Sequence, residues 1–272
     1  MKARELLYAI GLRPGPREYT YDISTIPLPK HGDIQYAEWR HPKMRPLPLT
    51  DAHVDALRPY VKEGDVAIDI GAHAGDTTIP LALAVGPTGT VFALEPNIYT
   101  FKILVANVGL NQQRARIIPL MVAATDREAD MEFEYSDPGF CNGGNHEGIS
   151  ARKHAHFFKL AVKGVHLGSY LDERYPDVKG RIRFVKIDAE GYDLNIARTL
   201  EGLFRENRPY IRTEIYGKTS KEYRDQYREY LQGLGYRLHV MKSETEYLGE
   251  PLTDENLYSR KTFDIFAVPQ DA

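Results

Sequence analysis

From residue 64 onward the chain alternates short apolar runs with amphipathic stretches. Val66-Ala67-Ile68 is an unbroken apolar run, which predicts a buried strand, and residues 77–85 then predict a helix. Residues 90–94 predict a second strand. Residues 99–110 place Phe101, Leu104, Val105 and Val108 on one helical face. Further strands are predicted over residues 116–120, 183–187 and 210–215. Residues 221–234 are amphipathic, and 236–240 and 262–268 predict an antiparallel pair at one sheet edge. Repeated strand–helix units with nearly continuous apolar strands predict a doubly wound α/β fold, its mostly parallel sheet covered on both faces.

The pattern before this region differs. Val54, Leu57 and Val61 sit at helical spacing and end at Gly64. Residues 14–50 are punctuated by seven prolines and predict an irregular or short-stranded leader packed on the main domain. The organisation expected is an N-terminal extension over 1–50 and a main domain over 51–272, with an insertion at about 125–181. Within the insertion Met131-Glu132-Phe133-Glu134-Tyr135 alternates like a strand, and 161–170 predicts another. Between them, residues 136–150 hold Gly139, Asn142, Gly143, Gly144, Asn145 and Gly148, a composition that predicts a mobile loop. Residues 1–13 mix Lys2, Arg4, Glu5 and Arg13 with apolar positions and read as a short amphipathic helix, not a signal peptide. The most apolar region, 79–94, is interrupted by Pro80, Gly86, Pro87 and Gly89, so no membrane span is expected.

A net charge of −3 gives no push toward nucleic acid. The single cysteine, Cys141, excludes an internal disulfide framework and favours a cytoplasmic location. Assembly into a homo-oligomer stays open.

The chemistry concentrates at strand tips. In VAIDIGAHAGD, residues 66–76, a buried strand ends in Asp69 and a turn carrying Gly71 and Gly75 leads into a helix. A dinucleotide site would carry a glycine where His73 stands, to let the backbone approach a pyrophosphate. A carboxylate at the tip suits a cationic ligand better than an anionic one. In TVFALEPN, residues 90–97, Glu95 sits where an acid can accept hydrogen bonds from both ribose hydroxyls. In RFVKIDAEG, residues 183–191, Asp188 ends a buried strand, with Glu190 two residues on, and YIRTEI adds Glu214 at the neighbouring tip. Converging carboxylates can act as a general base or hold a hard divalent cation, so Asp188 and Glu214 are candidate ligands for Mg²⁺ or Mn²⁺. Each glutamate could instead simply pair with Lys186, Arg212 or another cation.

The run DIGAHAGD, FALEPN, FKILVANVGLN, VAATD, FVKIDAEG and TEI resembles the FkbM family of class I methyltransferases, over roughly residues 50–241. The resemblance implies a seven-stranded, Rossmann-like sheet with one antiparallel strand. It implies S-adenosylmethionine as cofactor and O-methylation of a hydroxyl on a sugar, glycan or secondary metabolite. It puts the methionine part of the cofactor near Asp69, Gly71, His73 and Asp76, within a turn that also includes Ala72, Gly75 and Thr77. The ribose falls on Glu95, and the adenine near Pro96, Asn97 and residues 122–125, including Ala123. Asp188 and Glu190 fall on the family signature after the fourth strand and Glu214 on the acid after the fifth, with Asp188 also beside the cofactor. His239 is the next candidate for the chemistry. The leader and the 136–160 loop fall outside the match and are expected to choose the acceptor.

The rival readings are a nucleotide-cofactor oxidoreductase, disfavoured by His73, and an RNA methyltransferase, which would want a basic face and an Asn/Asp-Pro-Pro-aromatic signature in place of Asp188-Ala189-Glu190-Gly191. His146, His154, His156 and His166 match no zinc spacing and read as surface or lid residues. Trp39 reads equally as a pocket wall or as a staple holding the leader to the core.

Overall fold

A computed structural model describes residues 12, 14–141, 143–144 and 157–271. The helix expected at the start of the chain, His146, His154 and His156, and the 145–150 part of the expected mobile loop lie outside these residues.

The described residues open with a hairpin, β1 (Tyr21–Ile26) and β2 (Ile34–Trp39), followed by a short helix, α1 (Asp51–Asp55). The main domain then runs β3 (Val66–Ile70), α2 (Thr78–Val85), β4 (Thr90–Leu94), α3 (Ile98–Asn111) and β5 (Arg116–Leu120). The insertion holds β6 (Ala123–Ala124), β7 (Ala129–Tyr135), β8 (Gly143–Gly144), β9 (Phe158–Val165) and α4 (Leu167–Arg174). The chain returns through β10 (Ile182–Ile187), α5 (Asp193–Thr199), α6 (Glu201–Asn207), β11 (Tyr210–Ile215), α7 (Lys221–Gly233), β12 (Tyr236–Val240), α8 (Asp254–Ser259) and β13 (Phe263–Pro269).

Seven strands form one sheet in the order β12-β13-β11-β10-β3-β4-β5, parallel except for β13, which runs antiparallel to both neighbours. This is the class I methyltransferase fold. The late strands are the antiparallel pair expected at one sheet edge. β13 enters between β11 and β12 and leaves β12 outermost. Side chains alternate between the faces. Val66, Ile68 and Ile70 pack with Val185, Ile187, Leu194 and Leu231 on one side. Ala67, Phe184 and Phe266 pack on the other with α2 and with Ile26, Leu28, Ile34 and Tyr36 of the leader. Every residue of α2 is buried, as expected for a helix covered on both sides by sheet and leader.

Two boundaries differ from the periodicity, each for a local reason. The helix expected to reach residue 61 stops at Asp55, because Pro59 offers no N–H and disfavours helical backbone at Arg58. The strand expected over 161–170 ends at Val165, where His166 Nδ1 accepts the Ser169 N–H (3.3 Å) and starts α4. The insertion strands make a second sheet, β6-β9-β7-β8, above the cleft end of β4 and β5.

The leader is short-stranded, and one buried side chain bonds its backbone to both the helix and the glycine turn. Asn107, fully buried on α3, accepts the Ala37 N–H (2.6 Å) and donates to the carbonyls of Ala37 (3.2 Å) and Ala74 (2.8 Å). It thus joins hairpin, helix and glycine turn. A buried group left without its partner costs about 1–3 kcal/mol. Asn107→Ala is therefore expected to lower unfolding stability by about 2–4 kcal/mol and to speed hydrogen exchange at the Ala37 amide. A denaturation midpoint and exchange rate equal to wild type would refute this docking.

Candidate active site at the sheet's switch point

The direction of strand addition reverses between β3 and β10, the place where doubly wound sheets open a crevice at their carboxyl ends. Two local features hold it open. Gly71, with φ of 78°, turns the chain away from the sheet, and a Cβ there would collide with the Asp188 carbonyl oxygen. His73 also takes left-handed backbone, with φ of 48°, so the turn carries non-glycine strain next to the crevice. Across the gap, Glu190 has φ of 52° and Gly191 104°. Asp193 steadies that second turn by accepting the N–H groups of Ala189 (3.2 Å) and Gly191 (3.0 Å).

The resulting cleft has a volume of about 310 Å³. Gly71, His73, Asp76, Thr77, Glu95, Pro96, Asn97, Ala123, Asp188 and Glu190, all expected at the site, line it. Ala72 and Gly75 are buried behind it, against Leu104 of α3. Three other candidates are placed differently. Asp69 is completely buried beneath the floor: Oδ2 accepts the Thr78 hydroxyl (2.7 Å) and Oδ1 lies 3.2 Å from Lys186 Nζ. Glu214 stands outside the lining, directly opposite Asp264 of β13. His239 is on outermost β12 with Nδ1 3.1 Å from the Gly249 carbonyl, and it does not reach the cleft.

Glu95 is nearly buried. Its Oε2 accepts the His73 N–H and its Oε1 the Asn97 N–H, both at 2.9 Å. The carboxylate is thereby fixed with lone pairs still free toward the cleft. Burial pushes Glu95 up to about 7. Beyond it, one face of β7 presents Met131, Phe133 and Tyr135, which with residues 122–125 line a largely apolar slot. Asn97 caps α3 by accepting the Tyr99 N–H (3.0 Å) and donates to the Phe140 carbonyl (2.6 Å), while Tyr99 and Phe140 stack at 4.6 Å. The start of the loop expected to be mobile is therefore fixed. Asp137 adds bonds to His41 (2.9 Å) and Lys43 (2.6 Å) of the leader.

The charges were less visible in advance. Lys186, in the apolar run of β10, and Arg212, beside it on β11, both line the cleft and both are already paired. Lys186 contacts Asp69 and Asp188 (3.2 and 3.4 Å), and Arg212 contacts Glu244 (2.6 Å) and Asp264 (2.7 Å). A lysine inside a buried strand was the one available signal. With those cations matched, Asp76, Glu95 and Glu190 leave the cleft lining acidic among the described residues, with burial raising both glutamates. Burial, then the neighbouring Asp188, Asp193, Glu190 and Asp264 carboxylates, push Glu214 up to about 9.

The candidate divalent-cation site finds no support among the described residues. Among the described residues no three His, Cys, Asp or Glu side chains gather as a metal cluster. Asp188 faces Lys186 and Glu214 holds its proton near neutrality, so the pair does not offer two free carboxylates to a cation. The cofactor implied by the motifs fits better: an apolar slot for a base, a fixed carboxylate for a diol, and negative charge where a cation would lie.

The chain matches the methyltransferase FkbM domain over residues 69–238, more than half its length. No curated protein matches it in sequence. Similar solved structures include a methyltransferase FkbM from Methylobacillus flagellatus KT, with 12% identity and a TM-score of 0.49, covering 76% of this chain and 44% of that one. A SAM-dependent O-methyltransferase from Thermotoga maritima has 17% identity and a TM-score of 0.45, covering 92% and 78%. Fibrillarin of Aeropyrum pernix, with natively bound S-adenosyl-L-methionine, has 14% identity and a TM-score of 0.43, covering 93% and 97%. The chain thus spans less than half the length of the first of these. No helix among the described residues is long and apolar enough to cross a membrane.

Glu95, Asp193 (pushed by burial to about 8) and Glu214 keep protons in the folded state that the unfolded chain gives up near pH 4. The folded state then binds more protons, so these groups make stability fall as pH rises from about 4 to about 9. Thermal melts of the ligand-free protein should show this decline, and Glu214→Gln should flatten its part above about pH 7. An unchanged slope in that variant would contradict a protonated Glu214.

Proposed function

Because this chain belongs to the FkbM methyltransferase family, we propose that it transfers a methyl group from S-adenosylmethionine to a hydroxyl oxygen of a sugar, glycan or secondary metabolite. The observation that carries the reading is Glu95, buried at a strand tip with each oxygen fixed by one backbone N–H and the cleft before it. A carboxylate so prepared suits the two hydroxyls of a ribose, and the slot of Val122, Ala123, Met131 and Phe133 suits an adenine. The lining cations are both engaged, which supports a cofactor without phosphates over a dinucleotide. The same feature supports an uncharged acceptor, and with the net charge of −3 it speaks against nucleic acid.

When bound, the cofactor supplies a methyl group already made electrophilic by the sulfonium. The protein's part is to hold the acceptor oxygen in line and to remove its proton. Asp188 suits the second task. Its side chain is 43% exposed, and it extends from the end of rigid β10 into the cleft. As the oxygen takes the methyl, the hydroxyl proton passes to an Asp188 carboxylate oxygen, leaving a methyl ether and S-adenosylhomocysteine. Positioning should supply most of the acceleration. Glu190, pushed up by burial and then by Asp188, holds Tyr216 through a hydrogen bond and shapes the same rim.

Calorimetry should show S-adenosylhomocysteine binding more tightly than NAD, with Glu95→Ala weakening it by about 1–3 kcal/mol. Tighter NAD binding would overturn the proposed cofactor. With labelled cofactor and a panel of sugars and cell extracts, mass spectrometry should find a methyl ether. Asp188→Asn should slow turnover by about 10²–10⁴-fold with nearly unchanged cofactor affinity. Full activity of that variant would move the proton acceptor elsewhere.

A further inference from the structure

We propose that Lys186 is the positioning residue that ties the cofactor turn to the proton-accepting carboxylate, and that buried Asp69 serves as its counter-ion instead of touching the cofactor. The proposal rests on the methyltransferase reading above. Lys186 is 4% exposed, on the face of β10 that looks toward the leader. Its Nζ donates to the Gly71 carbonyl at 2.8 Å and lies 3.2 Å from Asp69 Oδ1 and 3.4 Å from Asp188 Oδ2. An ammonium has three protons to place, and three acceptors surround this one. Burial works to lower its pKa, but the Asp69 and Asp188 carboxylates outweigh burial and push it up.

The three charged groups sum to one negative charge, and their exposure decides where it acts. Asp69 is fully buried and held from behind by Thr78, the first residue of α2. Asp188 has its side chain 43% exposed to the cleft. Asp69 therefore neutralises the lysine, and Asp188 keeps its charge for the reacting centre. The same ammonium fixes the carbonyl of Gly71, whose missing Cβ lets the turn pass the Asp188 backbone. One cation thus sets the gap between the two turns that bound the cleft.

The test removes both partners of the buried pair, so that no lone charge is left behind. Asp69→Asn/Lys186→Met should fold cooperatively, bind S-adenosylhomocysteine about tenfold more weakly and turn over about a hundredfold more slowly at saturating cofactor. Adding Asp188→Asn to it should then cost at least about tenfold less than the same change in wild type, because the lysine acts through that aspartate. A lysine with a merely structural role would give additive losses. Lys186→Arg covers the case in which the pair variant does not fold. It keeps the charge, so turnover should stay within about fivefold of wild type. Its wider fork cannot reproduce the compact contact with Gly71, so affinity should fall by about fivefold or more. Wild-type affinity and turnover in the pair variant, or in Lys186→Arg should the pair variant not fold, would overturn the inference. Additive losses would overturn it too. Failure of the wild-type protein to bind S-adenosylhomocysteine would instead overturn the reading on which it rests.

Discussion

An ammonium group under the floor of a cleft survives only where carboxylates face it, and the Asp69–Lys186 pair meets that condition with both side chains almost wholly buried. Isolated, either charge would cost several kcal/mol, and a broken pair would destabilise the fold. Together they occupy adjacent strands at the point where strand addition reverses, in direct register. The crevice, the glycine turn and the exposed carboxylate of Asp188 are all arranged around this pair. Because Thr78 holds Asp69 from the start of α2, the helix that follows the cofactor turn is tied to the same centre.

One strand farther along the sheet the pattern repeats with a second lining cation. Arg212 on β11 sits beside Lys186, and Asp264 and Glu244 saturate its guanidinium. That arrangement leaves Glu214, opposite Asp264, as a carboxyl without a cation of its own among the described residues, and its raised pKa is the physical outcome. The two basic residues therefore have different work. Arg212 is saturated by Asp264 and Glu244, whereas Lys186 connects buried Asp69 to the reacting side.

Much of this was legible because it is local. Apolar runs ending in Asp69, Glu95 and Asp188 mark strands whose tips meet, and the alternation of Met131, Phe133 and Tyr135 marks the strand that walls the base slot. What escaped depends on which strand lies beside which. Asp69 at a strand tip looks the same in sequence whether it meets ligand or lysine. The partner of Glu214 arrives from a strand 50 residues later that enters the sheet antiparallel. That same strand displaces β12 outward, so His239 ends up three strands from β10, about 14 Å away at ordinary strand spacing. The paired helices α5 and α6 are seven residues each and meet at Leu200, too short for a sustained helical period.

The docking of the leader through Asn107 has a consequence for how the chain reaches its native state. Ala37 and Asn107 are 70 residues apart, so the hairpin, paired only with itself, must wait for α3 before Ala37 finds this side chain. Contacts of such separation carry a large loop-closure entropy and form late. On a ribosome the hairpin emerges well before the helix that receives it. Ile26, Leu28, Ile34 and Tyr36, all buried in the finished protein, are then uncovered on a two-stranded ribbon that is marginal by itself. The leader is thus the segment most in need of protection during synthesis, although in the finished molecule it is riveted to the turn that shapes the cleft.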